Sequence, residues 1–101
     1  MNTAVQISIY LSERDPWDRI LQLLHDEGVA GASAFHAVAG FAGRNSVHRA
    51  RLVESGGEVP VLIIFVDLEE HVDRVLPKVS ALVPKRLIVR ENVRIEQGSL
   101  E

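Results

Sequence analysis

The feature that most constrains this chain is an uninterrupted apolar run at residues 60–66, Pro-Val-Leu-Ile-Ile-Phe-Val. The run is short and is followed at once by Asp67, which favours a strand over a helix. Because it lacks polar alternation, it predicts a central strand buried on both faces. A chain of 101 residues builds one domain with one core, so this strand must lie inside a single small sheet.

The N-terminal part of the chain predicts a strand followed by a helix. Apolar residues alternate with polar ones from residue 5 to residue 11, which is the period of a half-buried strand. Asp15 and Pro16 then have the character of a helix start, with Asp15 as the expected N-cap. Gly28 suits the end of that helix, because glycine readily adopts the left-handed conformation of a helix cap.

The middle of the chain predicts a second strand and a long loop. Residues 32–41 are small and apolar; a strand fits them, although their alanines keep a helix open as the competing interpretation. Residues 42–58 contain several glycines and polar residues and predict a long loop, within which residues 47–53 could extend as hairpin arms. Loops of this length in a small domain tend to carry function.

The C-terminal part predicts a second helix and a last strand. Asp67 is the expected cap of this helix, with Glu70 in the position of a capping-box partner. Pro77 predicts a kink or a weak early turn, and Pro84 closes the helix. Residues 86–90 predict the last strand.

The predicted order of elements is strand, helix, strand, long loop, strand, helix, strand. This order gives an α+β fold, a ferredoxin-like βαββαβ sandwich with a long loop between strands 2 and 3. We expect one domain over residues 1–97 and a frayed tail at residues 98–101. Two helices can cover only one face of the sheet, and the run at 60–66 is apolar on both. An exposed apolar sheet face predicts self-association, usually with closed symmetry.

Composition and charge exclude several classes of protein. The chain has no cysteine, so it has no disulfide, thiolate nucleophile or cysteine-bound zinc. The net charge of −3 argues against a nucleic-acid partner. The sequence contains no long apolar span or signal peptide, and a cytoplasmic location is expected. Basic residues are nevertheless concentrated at residues 44–51 and 85–94, which favours a local anion site.

Several short motifs resemble the PII-like family known as domain of unknown function 190. They are Ala-Gly-Phe-Ala-Gly-Arg at residues 39–44, Val-His-Arg at 47–49, Val-Pro-Val at 59–61, Ile-Tyr-Leu-Ser-Glu-Arg-Asp at 9–15 and Arg-Leu-Ile-Val-Arg-Glu-Asn-Val at 86–93. The similarity covers nearly the whole chain. It implies a homotrimer with clefts between subunits that bind an adenine nucleotide (ADP, AMP or ATP). It also implies that the long loop, called the T-loop, docks on a membrane transporter, a channel or an enzyme.

The resemblance also implies which residues contact the ligand. Gly40, Phe41, Ala42 and Gly43 match the base of the T-loop, with Ala42 where the wider superfamily has glycine. The expected cationic and loop contacts to the ligand are Arg44, His48, Arg49, Lys85, Arg86 and Arg94. The glycine-rich phosphate loop of typical PII proteins is absent, because Val83, Pro84, Lys85 and Arg86 stand in its place.

Other functions are weighed against this one. A bicarbonate or other small-anion sensor of the same fold is the rival binding function. A small phosphate-ester hydrolysing enzyme is the rival of a different class, but no nucleophile, base and oxyanion donors can be assembled from the sequence. We therefore expect no enzyme activity, no catalytic residue and no required cofactor. The four histidines lack metal-ligand spacing, so no metal site is expected; His25 and His71 are interpreted as solvated helix residues.

Overall fold

The structure is a computed structural model that describes residues 3–41, the backbone of residues 48–49, and residues 59–100. These residues form the strands β1 (Ala4–Ser12), β2 (Ala32–His36), β3 (Ala39–Gly40), β4 (His48–Arg49), β5 (Pro60–Leu68) and β6 (Leu87–Val93), and the helices α1 (Trp17–Asp26) and α2 (Glu69–Leu82). The predicted boundaries differ in two places. The second strand is divided at Ala37 and Val38, and the last strand continues past Arg90 to Val93.

The main sheet has four antiparallel strands in the order β2-β5-β1-β6. The long strands β1 and β5 lie at its centre, as the apolar run predicts, and both helices follow strands of this sheet in the chain. This is the α+β, ferredoxin-like arrangement, and the prediction of fold class is confirmed. The short pair β3 and β4 forms a separate two-stranded ribbon.

One face of the sheet forms the core with the two helices. β1 contributes Val5, Ile7, Ile9 and Leu11, and β5 contributes Val61, Ile63 and Phe65, all of them buried. The helices contribute Ile20 and Leu24 from α1 and Val72, Val75 and Val79 from α2. The apolar stripes predicted for the strands and helices therefore meet in one aliphatic cluster.

The other face of the sheet has no helix against it. The register places Leu62 beside Tyr10 and Ile64 beside Ser8, so the second apolar set of β5 lies on this open face. Within one chain Leu62, Ile64 and Val66 are only half-buried. The expectation that β5 is buried on both faces is thus met on the helical face, whereas its side chains on the open face are only half-buried.

The two predicted helix caps are wrong. α1 begins at Trp17 and α2 at Glu69, and neither N-terminus has a side-chain cap. Asp15 instead uses Oδ2 to accept a 2.7 Å hydrogen bond from the backbone N–H of Ser12, which closes the turn after β1. Asp67 lies inside β5, where it accepts a 2.7 Å hydrogen bond from the N–H of Leu68. Each carboxylate also has a contact distant in the chain: Asp15 pairs with Arg86, and Oδ2 of Asp67 accepts a 3.4 Å hydrogen bond from the N–H of Ala30.

His71 also differs from its predicted role, whereas His25 is exposed as expected. The side chain of His71 is mostly buried, with Nδ1 lying 3.1 Å from Oδ2 of Asp67 and Nε2 lying 2.8 Å from the carbonyl oxygen of Glu27. The interpretation of His71 as a solvated residue is therefore wrong. Its ring joins the end of α1 to the start of α2.

Candidate functional site

A groove of about 590 Å³ lies where β1 and β2 end and where β5 and β6 begin. Its lining combines apolar and aromatic side chains with two cations: Tyr10, Leu11, Phe35, Ala37, Phe41, Pro60, Val61, Leu62, Lys85, Arg86 and Leu87. Four strand ends and two connecting segments therefore converge on one opening at the edge of the sheet.

The floor of the groove is one row of side chains across the open face. The register pairs Phe35 with Leu62, Leu62 with Tyr10, and Tyr10 with Leu87. Phe35, Tyr10 and Leu87 are 54%, 47% and 62% exposed. Large apolar side chains this exposed, side by side on one surface, indicate a binding surface. A flat aromatic group could stack on the two rings.

The segment after β2 forms one wall of the groove. The N–H of Ala37 donates a 2.9 Å hydrogen bond to the carbonyl oxygen of Pro60. Gly40 passes so close that an added Cβ would lie 3.2 Å from Cγ of Pro60. A side chain at this position would force Pro60 to shift by a few tenths of an ångström, so the close approach favours glycine. It places the exposed ring of Phe41 at the groove, immediately before residues 42–47.

The opposite wall carries the cations. Lys85 and Arg86 follow α2, and the N–H of Arg86 donates a 3.1 Å hydrogen bond to the carbonyl oxygen of Val83 in the turn that precedes β6. Lys85 is exposed and Arg86 is half-buried. Nε of Arg86 lies 2.7 Å from Oδ2 of Asp15, so this guanidinium is held in place from behind the groove.

The structure brings together some of the residues expected at the ligand. Phe41, Lys85 and Arg86 line the groove, and Gly40 packs beside it. The backbones of His48 and Arg49 pair with Gly40 and Ala39, which puts β4 next to this wall. Ala42, Gly43, Arg44 and the side chains of His48 and Arg49 lie outside the described residues.

Arg94 does not join this groove within one chain. It follows Val93, which pairs with Ala4 at the opposite end of the sheet from the Leu87–Tyr10 pair. A strand rises about 3.4 Å per residue, so Arg94, seven residues after Leu87, lies roughly 24 Å from the groove along β6. Its neighbours are Gln6, Val66 and the residues of the C-terminal tail.

Sequence reasoning missed most of the apolar floor. The sequence does not show that Phe35, Leu62 and Leu87 lie in one row with Tyr10. The signal that could have found them is the antiparallel pairing, because a register set by the buried residues fixes the row on the other face. Asp15 was missed as a partner of Arg86, since these residues lie far apart in the chain and no local pattern joins them.

The described residues contain no group of three or more potential metal-ligating side chains. His36 lies beside the ring of Trp17 in a T-shaped arrangement with centroids 5.0 Å apart, and its Nε2 is 3.8 Å from Oε1 of Glu13. The groove itself offers N–H donors and apolar surface. These groups suit ligand binding: the cations can pair with an anion, and the rings can stack on a flat apolar group.

The sheet order and the two helices on one face form a ferredoxin-like fold of the kind found in PII-like proteins. A model of the DUF190 family, described as Uncharacterized ACR, matches residues 4–95. The chain therefore belongs to the DUF190 family, and the resemblance inferred from its motifs is confirmed.

Among curated proteins, the chain is similar to UPF0166 protein MJ1524 of Methanocaldococcus jannaschii, with 29% identity over 99 residues and 91% of each chain covered. Among solved structures, it is similar to CPII of Thiomonas intermedia K12 bound to ADP and bicarbonate. That match has a TM-score of 0.72 at 16% identity and covers 94% of this chain and 90% of CPII.

A second solved structure is the divalent ion tolerance protein CutA1 of Ehrlichia chaffeensis, with a TM-score of 0.68 at 14% identity. The match covers 96% of this chain and 87% of CutA1. Both structural matches establish the fold. None of the helices in the described part of the chain is long and apolar enough to cross a membrane.

Proposed function

We propose that this protein is a PII-like regulatory protein that binds an adenine nucleotide in the groove. The observation that carries the proposal is the position of Lys85 and Arg86 beside an exposed aromatic row. Phosphate oxygens attract ammonium and guanidinium groups, and a purine ring stacks on aromatic side chains. A nucleotide presents both groups at once, whereas an inorganic anion would leave the apolar floor unused.

The open face of the sheet supports the homotrimer in this proposal. Ile64 and Val66 are half-buried in one chain, and burial of both against a second copy would add favourable apolar contact. The groove lies at the edge of this face, so a neighbouring subunit would close it. The Arg94 of a neighbouring subunit could then reach a bound phosphate, whereas the Arg94 of the same chain is too distant.

The proposed regulation depends on residues 42–58, the expected T-loop. Phe41 lines the groove and leads directly into this segment, so a ligand on Phe41 contacts its base. Ligand binding changes the population of loop states only if one state binds the ligand better. The proposed output is docking of that segment on a membrane transporter, a channel or an enzyme, with no chemical step by the protein.

Calorimetry with ADP, AMP and ATP tests the nucleotide proposal. We expect binding by the wild type and a loss of about tenfold in affinity in Lys85→Ala, the value of a charge-assisted contact. Lys78→Ala is the matched control, because it removes the same charge from the helical side of the sheet, where Lys78 pairs with Glu27. Absence of binding by all three nucleotides, with the protein at high micromolar concentration, contradicts the proposal.

A small-anion sensor is the second candidate, favoured by the bicarbonate bound together with ADP in CPII. Titration with bicarbonate alone separates the two functions. A nucleotide regulator binds ADP or AMP without bicarbonate, whereas an anion sensor binds bicarbonate without nucleotide. Release of inorganic phosphate from ATP during the same incubation would instead support the hydrolase alternative, and we expect none.

A further inference from the structure

Asp15 and Arg86 form an ion pair beside the groove, which affects the charge that a bound anion meets. Oδ2 of Asp15 accepts a 2.7 Å hydrogen bond from the backbone N–H of Ser12 and also lies 2.7 Å from Nε of Arg86, with which it forms an ion pair. The carboxylate is therefore fixed by the turn after β1, and it fixes the arginine in turn. The exposed fraction is only 18% for the Asp15 side chain and 32% for the Arg86 side chain.

Asp15 holds Arg86 from the side away from the ligand. Arg86 lines the groove and Asp15 does not. An arginine held through Nε still carries the N–H donors of its two Nη atoms, and these are the donors that make paired bonds to phosphate. Because a long side chain loses rotamer freedom when it is fixed, an arginine that is already held binds an anion at a smaller entropic cost.

The same carboxylate limits the positive charge of the groove. Among the described residues that line it, the charged ones are Lys85 and Arg86. Asp15 stands directly behind Arg86, so a bound phosphate is attracted by the two cations and repelled by this carboxylate. Repulsion grows with the charge of the ligand, and it therefore penalises ATP more than AMP.

We propose that Asp15 is a positioning residue that orients Arg86 and shifts the preference of the groove from a nucleoside triphosphate toward a monophosphate. The inference rests on the proposed nucleotide site and names its substrate class. Asp15 neither caps α1 nor lines the groove. The inference therefore gives its ion pair with Arg86 a role of its own.

The test compares Asp15→Asn with Asp73→Asn. The amide oxygen of asparagine can still accept the hydrogen bond from Ser12, so the turn is retained while the negative charge is removed. Asp73 is the matched control, since its Oδ1 lies 2.8 Å from Nη1 of Arg90 on the helical side of the sheet. Both variants change the net charge of the protein equally.

The first measurement is the affinity for AMP and for ATP, each without divalent metal ions. In Asp15→Asn we expect the ratio of ATP affinity to AMP affinity to rise at least threefold, a size typical of a partly exposed charge interaction of about 0.7 kcal/mol. In Asp73→Asn we expect no change. An unchanged ratio in Asp15→Asn, or an equal rise in Asp73→Asn, overturns the inference.

A second measurement does not depend on the ligand. In ¹⁵N NMR spectra, the Nε–H signal of Arg86 is identified by its loss in Arg86→Lys. Protection of this proton from exchange with water in the wild type, lost in Asp15→Ala, which removes the accepting oxygen, supports the positioning role. Equal exchange rates in both proteins overturn it. Failure of the wild type to bind any nucleotide would overturn the proposed function and this preference together, whereas binding with an unchanged ratio overturns the preference alone.

Discussion

Nδ1 of His71 lies 3.1 Å from Oδ2 of Asp67, a carboxylate at the buried end of β5. The other ring nitrogen, Nε2, lies 2.8 Å from the carbonyl oxygen of Glu27. A carbonyl oxygen can only accept, so Nε2 carries a proton. One imidazole thus contacts a polar group of β5 and the carbonyl of the residue that follows α1.

We expect His71→Leu to lower the free energy of unfolding by about 1–3 kcal/mol, because it leaves a buried carboxylate oxygen and a carbonyl without their partner. Urea denaturation measures the difference. His25→Leu is the control, since the His25 side chain is 84% exposed and its loss should change stability by less than about 0.5 kcal/mol. Equal stabilities of the two variants would contradict the structural role of His71.

Gly28 ends α1 with a φ of +81°, a conformation in which a side chain is strained. A Cβ there would meet Cε1 of His71 at 3.9 Å, an ordinary contact, so the strain comes from the backbone alone. We expect Gly28→Ala to destabilise the protein by about 1–2 kcal/mol.

Gly31 provides the matched control for this prediction. A Cβ at Gly31 has open space around it, and its φ lies outside the left-handed region. Gly31→Ala should be neutral or stabilise the protein by up to about 1 kcal/mol, because alanine restricts the unfolded chain. Thermal unfolding of both variants checks the pair, and a larger loss in Gly31→Ala than in Gly28→Ala would refute the assignment.

Self-association through the open face predicts a specific response to charge. Ile64 lies between Ser33 and Ser8 near the middle of this face. Ile64→Lys would place an ammonium in the interface, where burial of an unpaired charge is costly. Light scattering should give about three times the chain mass of 11.2 kDa for the wild type and a smaller particle for the variant.

Ser80→Lys is the control for that experiment, because Ser80 is exposed on α2, away from the open face. We expect it to keep the mass of the wild type. A wild-type particle of 11.2 kDa, or an Ile64→Lys variant with unchanged mass, contradicts the interface.

Arg86→Lys tests whether geometry matters beyond charge at the groove. Lysine keeps the positive charge but lacks Nε and the paired donors of guanidinium. We expect AMP affinity to fall about tenfold, the scale of one charge-assisted bond. Arg90→Lys, at the arginine that pairs with Asp73, should leave affinity unchanged. Equal affinities of Arg86→Lys and the wild type would show that a point charge suffices.

Part of the candidate site could be expected from the sequence. Gly40, Phe41, Lys85 and Arg86 came from the family resemblance, and the structure places them at or beside one groove. Local reasoning failed where a side chain serves a distant partner. Asp15 and Asp67 precede apolar helical stretches and look like caps, but Asp15 pairs with Arg86, and Asp67 accepts a hydrogen bond from the N–H of Ala30. Charged contacts across the fold override local capping preference.

The local period of hydrophobic residues is enough to predict the strands and helices of the main sheet and the faces on which they are apolar. The apolar run at 60–66 already required a central strand with more apolar surface than two helices can cover. The folded chain alone shows that Phe35, Leu62, Tyr10 and Leu87 form one row. It also shows that Arg86 lies beside Asp15. Strand register and turn packing join residues far apart in the chain, and no local pattern specifies those pairings.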